Sequence, residues 1–456
     1  MIRFFMRQFG LAQTIEKSVR LLKQPREYSD SDHILSQVFN TFFGGQRLED
    51  MKLLRQDQAV KTALGMDRLP DSTTAGDFLR RFDQEQIEAL QQGINEARAA
   101  VWKKTRPFDS LNEVYIDIDG TVSPTEAGCK EGIDYCSYKK LWGYGPLIVS
   151  VAPTKEVLFL KNRPANNASH TGCASYIRSA LELVSPHAPK ICLRGDTDFS
   201  LTEYLDEWDQ SADFVFGYDA KQNLVKKAEK ISEKVWKKLE RKQRAIATEP
   251  RQRPHNYREE IVETTDWTNI KTIREDFAEI EYRPLKCKKP YRLVILRKQI
   301  HARRAGDWLF DEFKYFFYIT NKTEERAEQI IELANQRCDQ ENVIAQLKSE
   351  LGAMNLPVDN LLSNWAHMVI TSLAWNIKSW LALTLEKLGM SRAYHMMRKI
   401  EWRTFLNRWI RIPVQVLEQG RRVVFRVLSD SPQAQDLIEA AHTLKRLSGC
   451  QSEMNV

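Results

Sequence analysis

Four carboxylates stand where a chain can bring them to chemistry. Asp117 and Asp119 close the β-rich run EVYIDID, Asp196 closes ICLRGD 77 residues after Asp119, and Glu341 sits within NQRCDQENVIAQLK. Residues two apart on a strand share a face, so Asp117 and Asp119 point the same way at its carboxyl end, where open α/β sheets place their reactive groups. Glu341 follows Arg337 by four residues and precedes Lys348 by seven. On a regular helix of about 100° per residue these three fall at about 0°, 40° and 20°, one narrow sector. Leu333, Val343, Leu347 and Leu351 fall together on the neighbouring sector and can anchor the helix to a sheet. Either strand-end Asp by itself is equally a turn former or a helix cap, and it is the third carboxylate that makes a set. Asp119, Asp196 and Glu341, with no accompanying group of His and Cys, are the all-oxygen donors that Mg²⁺ or Mn²⁺ requires. Two such ions about 4 Å apart activate a water or a 3′-hydroxyl and stabilise the leaving oxygen of an in-line phosphoryl transfer. Arg337 and Lys348 would then grip phosphates.

Holding these groups in place calls for several kinds of element. Residues 1–108 carry apolar positions at helical spacing, from Ile15 to Phe43 and from Ile87 to Trp102, with breaks at Gly44-Gly45 and near Pro70. In LPDSTTAGDFLRRF, Asp71, Ser72 and Thr73 stand where a helix N-cap is wanted, ahead of Arg80 and Arg81, which suits either a helix-turn-helix that reads DNA or a plain capped helix. From Asn112 the runs EVYIDID, PLIVSVA and VLFLKN read as strands, Ala174 to Val184 as a helix, and ICLRGD and DFVFGYD as strands again. That order implies an α/β fold with a mixed sheet flanked by helices. A basic helix over Lys221–Arg244 and the strands YREEIVET, AEIEYRP, YRLVILRKQ and KYFFYITN, with a turn at Gly306, read as a β-rich insertion. A long helix behind Thr323 reaches about Leu351, helices continue to about Trp409, and IRIPVQVLEQGRRVVFRVL reads as a hairpin turning at Gly420. The expected division is a helical domain over 1–108, a catalytic core over 109–220 and 312–380, the insertion over 221–311, and a carboxyl-terminal helical region with a hairpin over 381–456.

Composition narrows the class further. With 42% hydrophobic and 28% charged residues the chain is that of a folded protein, and 456 residues suffice for two or three domains. The net charge is +7, yet Lys221–Arg253 alone holds twelve Lys or Arg against four Asp or Glu, an excess of eight. That concentration suits a polyanion, or a solvated helix face. Seven cysteines without a CxxC pair suggest neither a disulfide framework nor a zinc ribbon, and a reducing cytoplasm fits. His170 and Cys173 have ligand-like spacing with nothing nearby to complete a site. The start MIRFFMRQFGLAQT has no secretory pattern, and Trp365–Leu385, interrupted by His367 and Lys378, reads as a buried helix and not a membrane span.

The motifs RLEDMKLLRQDQAV, LPDSTTAGDFLRRF, DIDGTVSP, LRGDTDF, NQRCDQENVIAQLK, LLSNWAHM and RIPVQVLEQGRRVVFRV, running over nearly the whole chain, resemble bacterial insertion-sequence DDE transposases, most narrowly the insertion sequence 1380 group. The resemblance implies a ribonuclease-H-like core with a β-rich insertion before the Glu. It implies metal-dependent cutting and pasting of DNA, with Asp119, Asp196 and Glu341 as metal-binding carboxylates, two Mg²⁺ replaceable by Mn²⁺, and Arg337 and Lys348 on phosphates. The implied partners are double-stranded DNA with terminal inverted repeats, target DNA and a second copy of the chain in a homodimer, in the cytoplasm at the nucleoid and without a membrane. Lys234, Lys237, Lys238 and Arg241 are the expected DNA clamp. Trp267 and Trp308 are the insertion's candidates for holding a flipped base, or tryptophans of a small β-domain's core. Ala334 stands where related signatures often carry Tyr, and Asp198 offers a second acidic group beside Asp196. YIDIDGT also matches the opening of haloacid-dehalogenase-type phosphatases, with Asp117 as nucleophile and Asp119 as general acid. A non-catalytic DNA-binding descendant of a transposase is the third alternative.

Overall fold

Capped helical starts and apolar spacing fold the amino-terminal stretch into α1 (Ile2–Gln8), α2 (Leu11–Ser18), α3 (Asp30–Phe42), α4 (Met51–Gln56), α5 (Gln58–Leu64), α6 (Ser72–Leu79) and α7 (Gln84–Thr105). The expected cap forms: the Asp71 carboxylate accepts from Thr74 N–H at 2.7 Å and starts α6. Phe78 and Leu79 of α6 are buried, and Arg80 behind it donates to Asp359 at 2.9 Å. The computed structural model describes residues 1–23, 27–66, 68–240, 255, 257–264, 268–304, 307–419, 422–429 and 431–447. They gather into two units, residues 1–191 with 338–456, and residues 192–337.

The first unit is built on β1 (Val114–Gly120), with the small strands β2 (Ser123–Pro124), β3 (Asp134–Cys136) and β4 (Leu141–Tyr144) following it, and then β5 (Leu147–Val151) and β6 (Glu156–Lys161). β5 lies between β1 and β6, antiparallel to both, with Asp117 opposite Ser150 and Asp119 opposite Ile148. Along β6, helices supply the backbone's partners. Leu160 N–H donates to Gln91 at 2.8 Å, Val157 N–H donates to Asn376 at 2.9 Å, and the Trp365 indole donates to Leu160 O at 2.6 Å. Side chains thus occupy positions where another strand could otherwise add. Beside them Glu156, fully buried, accepts from Arg98 Nε at 2.8 Å, Trp102 at 2.9 Å and Trp380 at 2.5 Å. Burying a carboxylate without such donors would be costly. The network ties α7 to the sheet, so the amino-terminal helices share this unit's core.

The second unit carries β7 (Ile191–Gly195), preceded in the chain by α8 (Cys173–Val184), and then α9 (Leu205–Trp208), β8 (Asp213–Tyr218), α10 (Gln222–Glu229), β9 (Lys237–Lys238), α11 (Tyr257–Thr264), β10 (Thr268–Tyr282), β11 (Tyr291–Arg304), β12 (Asp307–Thr320) and α12 (Ala327–Asn335). Its strands run β7-β8-β12-β11-β10-β9, with β7 and β8 parallel and the other pairs antiparallel. A mixed sheet flanked by helices, with long insertion strands, is the expected class.

Two expectations in this unit fail. The basic helix ends at Glu229 rather than Arg244, because the chain turns to bury Trp236 under the Arg297 guanidinium, 4.2 Å from the ring centroid, and then pairs Lys237 and Lys238 with β10. YREEIVET, read as a strand, is the helix α11; Arg and Glu lose little rotamer freedom in a helix, and local propensity prevails over the alternation.

The chain then re-enters the first unit with α13 (Cys338–Ala345), a π-helical turn (Gln346–Glu350), α14 (Leu361–Lys387), α15 (Ser391–Lys399), α16 (Trp402–Phe405), the hairpin strands β13 (Val414–Gln419) and β14 (Arg422–Val427), and α17 (Pro432–Leu447). The single helix expected from Thr323 to Leu351 is therefore three pieces. It begins at Ala327, breaks at Gln336-Arg337, and widens at Gln346. Among the described residues α14 alone is long and apolar enough to cross a membrane, and 94% of its most apolar window is buried inside the protein, as expected of a core helix. The expected turns at Gly306 and Gly420 lie outside the described residues.

Candidate active site

At the end of β1 two carboxylates that share a strand face part company. Asp117 is fully buried, whereas Asp119 is half-buried. A nucleophile must reach its substrate, so the burial of Asp117 speaks against its attacking a phosphate ester. Asp119 Oδ1 accepts from Gly120 N–H at 2.8 Å, folding the side chain back onto its own turn. A Cβ at Gly120 would lie 3.2 Å from Ser169 Cβ, which explains a small residue there. The Ser169 loop is itself held by buried Arg163, which donates to Ser169 O at 2.8 Å and to Gly145 O at 2.9 Å. His170 in this loop is half-buried and Cys173 is fully buried.

Lys348 is engaged by its own unit. Its ammonium donates to Val122 O at 2.7 Å and to Thr121 Oγ1 at 3.2 Å, clasping the turn just beyond Asp119. Burial first, and then the charge of Lys139, push its pKa down. It lies in the π-helical turn, so its direction does not follow the 100° rule that placed it beside Glu341.

Glu341 is exposed in the first turn of α13, and its neighbours fix that turn. Gln340, buried, donates to Ile148 O at 3.2 Å, and Ile148 is the residue paired with Asp119 across the sheet. Asp339 meets Lys155 at 3.1 Å, while Val343, Ile344, Leu347 and Leu351 are buried beneath. Of the expected anchoring residues only Leu333, in α12, is half-buried. Gln340 escaped the sequence reading because an uncharged amide beside a catalytic candidate carries no signal until the strand it touches is known.

Asp196 stands in the second unit. Its Oδ1 accepts from Asp198 N–H at 2.9 Å, capping a short 3₁₀ turn, Thr197–Phe199. Burial raises its pKa, the Arg337 guanidinium opposes that shift, and Asp198 and Asp219 add to it. Arg337 thus belongs electrostatically to Asp196; it occupies the break after α12, not a helix face shared with Glu341 and Lys348. Arg194, buried one residue before Gly195, donates to Leu333 O of α12 at 3.4 Å. The turn is tight: a Cβ at Gly217 of β8 would come within 2.9 Å of Thr197 N and 3.1 Å of the Asp196 carbonyl carbon.

Within either unit, no three described His, Cys, Asp or Glu side chains gather into an ion-holding group. By chemistry the donors fit a hard divalent ion, being carboxylates throughout, one half-buried at a strand end and one whose burial disfavours its charge when no cation is near. Lys234, Lys237 and Lys238 are exposed along the edge that β9 forms. Arg241 and Trp267 lie outside the described residues; Trp308 stands in β12 opposite Arg303, and its backbone alone is described.

A family model, the transposase DDE domain group 1, matches residues 1–449. No curated protein matches. Among solved structures, the cryo-EM structure of a piggyBac transposase synaptic complex with hairpin DNA shares 11% identity at a TM-score of 0.36, over 96% of this chain and 84% of that one, a likeness that carries no argument about this chain.

Proposed function

The chain belongs to the family of group 1 DDE transposase domains, and on that premise we propose that it cuts and rejoins DNA at transposon ends with a divalent metal held by Asp119, Asp196 and Glu341. The observation that carries this reading is the anchoring of Gln340 to Ile148, since it ties the residue before Glu341 to the strand position opposite Asp119. When bound, Mg²⁺ or Mn²⁺ would supply an activated water or 3′-hydroxyl and neutralise charge on the leaving oxygen. The chain's own groups bind and orient. Arg337 offsets the charge at Asp196, and Lys348 keeps the turn after Asp119 from moving. The substrate ends would be inverted repeats and the working assembly a homodimer on DNA at the nucleoid, an insertion-sequence enzyme of the 1380 type.

Asp119→Asn, Asp196→Asn and Glu341→Gln should each lower strand cleavage by about a thousandfold or more, the rate equivalent of several kcal/mol of metal-derived stabilisation. DNA binding should persist in all three. Cleavage should appear with Mg²⁺ or Mn²⁺, while Ca²⁺ should support binding without chemistry; full activity in a chelator sinks the metal assignment. The exposed lysines of β9 and its approach would act as a sequence-tolerant clamp. Replacing Lys234, Lys237 and Lys238 by Gln should flatten the plot of log affinity against log salt by up to about 3, near 0.9 for each phosphate that is no longer neutralised. An unchanged slope removes these residues from the interface.

A further inference from the structure

The hairpin formed by β3 and β4 is placed and furnished in a way its structural role does not require. Its base is firmly held. Lys130 donates to Leu356 O at 2.8 Å and Val358 O at 2.6 Å, the Tyr144 hydroxyl donates to Glu131 O at 2.6 Å, and β4 pairs with β2 just beyond the turn that Lys348 clasps. A Cβ at Gly143 would fall 2.1 Å from Ser123 O, so that approach depends on a glycine. The other end is dressed for contact. Tyr138 is 89% exposed, Trp142 53% and Tyr135 39%. Tyr135 and Trp142 are cross-strand partners with ring centroids 5.6 Å apart, and Lys139 Nζ lies 5.8 Å from the Tyr138 ring centroid. Lys140 takes a left-handed conformation, φ 54°, at the turn. The pairing of Tyr144 with Ser123 sets the base of this hairpin next to the turn that follows Asp119.

Aromatic rings left in water on a rigid ribbon, with two cations between them, match the needs of nucleic-acid bases and their phosphates. We propose that the hairpin Asp134–Tyr144 is a base-stacking contact, in which Tyr138 and Trp142 receive an unpaired base of the DNA near the phosphate that a metal at Asp119 would bind, while Lys139 and Lys140 take the adjoining phosphates. The proposal rests on the DNA-cutting reading above and deepens it. Tyr135 lies beside Trp142 on the same ribbon face. An unpaired base is favoured over intact duplex because a stacked pair hides its faces.

The test compares fluorescence anisotropy of the full chain on two labelled duplexes of one sequence, one fully paired and one carrying a single unpaired thymine, in Ca²⁺. The wild type should prefer the unpaired-base duplex by about tenfold or more, in line with stacking on an aromatic ring. Combined Tyr138→Ala and Trp142→Ala should erase that preference while leaving the paired-duplex affinity within about twofold, since phosphate contacts carry it. Combined Tyr138→Phe and Trp142→Phe should keep the preference, which separates stacking from any change in folding. A wild type without preference, or a preference that survives both alanines, overturns the proposal and leaves the DNA-cutting reading standing. A wild type that binds neither duplex defeats that reading, and the stacking contact with it.

Discussion

Asp119 and Asp196 each close a strand and each folds back onto a backbone N–H of its own turn, yet the two turns are kept in shape by different means. Beyond Asp119, the turn is clasped from far along the chain, by the ammonium of Lys348, which donates to Val122 O and Thr121 Oγ1. The Asp196 turn is held locally, by its own 3₁₀ cap and by the bare backbone of Gly217 pressing against it. The contrast teaches that one carboxylate depends on the assembly of its whole unit and the other on fit within a few neighbouring residues. Disturbances should therefore reach them by different routes.

The largest effect should come from unclasping the first. Lys348→Met removes the donor to the turn without removing bulk, and single-turnover cleavage at saturating protein should fall about ten- to hundredfold, the rate equivalent of one charged hydrogen bond of about 1.5–3 kcal/mol. Lys348→Arg should recover part of that, and DNA affinity should change little in either. A large loss of affinity with normal cleavage would return Lys348 to the phosphate-gripping role that its spacing suggested.

The position of Lys348 also shows how far the sequence is legible. The strands ending at Asp119 and Asp196 are plain from β-branched runs meeting acidic turn residues, and the helix of Glu341 from its buried Val343, Leu347 and Leu351. The sector shared by Arg337, Glu341 and Lys348 follows only from ideal geometry. It fails because a break at Gln336-Arg337 and a π turn at Gln346 each reset the helical phase, and neither leaves a Gly or Pro to announce it. The end of α10 is hidden likewise, since what stops it is the Arg297 cation over the ring of Trp236, a contact between residues distant in the chain. The different depths of Asp117 and Asp119 also need the structure, because period-two alternation gives both the same face.

A middle-sized effect tests the crowding at the second turn. Gly217→Ala would put a methyl into backbone atoms, and overpacking of that kind costs about 1–3 kcal/mol. The melting temperature should drop and cleavage with it. Gly120→Ala, facing only the Ser169 side chain, should be milder on both measures. Equal drops would erase the distinction between a turn held by backbone and one beside a movable side chain.

The smallest effect is a pH dependence. Burial, with Asp198 and Asp219 assisting, raises the Asp196 pKa above the ordinary carboxylate value, so the folded protein prefers this group neutral. Its contribution to stability is fully present below the unfolded pKa and lost as pH rises through the raised value. Asp196→Asn keeps a capping oxygen and removes the charge. In metal-free buffer the variant should match the wild type in acid and melt slightly higher towards neutral pH, the gap opening as pH rises; a variant that melts lower at neutral pH would mean that Arg337 outweighs burial.

The widened turn at Gln346–Glu350 also governs which changes of length this chain can survive. A π turn amounts to one residue more than a regular helix needs, and here that surplus residue rotates Lys348 towards Val122 while Gln346 Oε1 accepts from Trp402 N–H at 2.8 Å. Deleting a single residue there would yield a more regular helix, and a general gain in helical order. It would also swing the lysine off the turn it guards. Selection acting on stability alone would favour the shorter helix, so the bulge would persist only while activity is being selected.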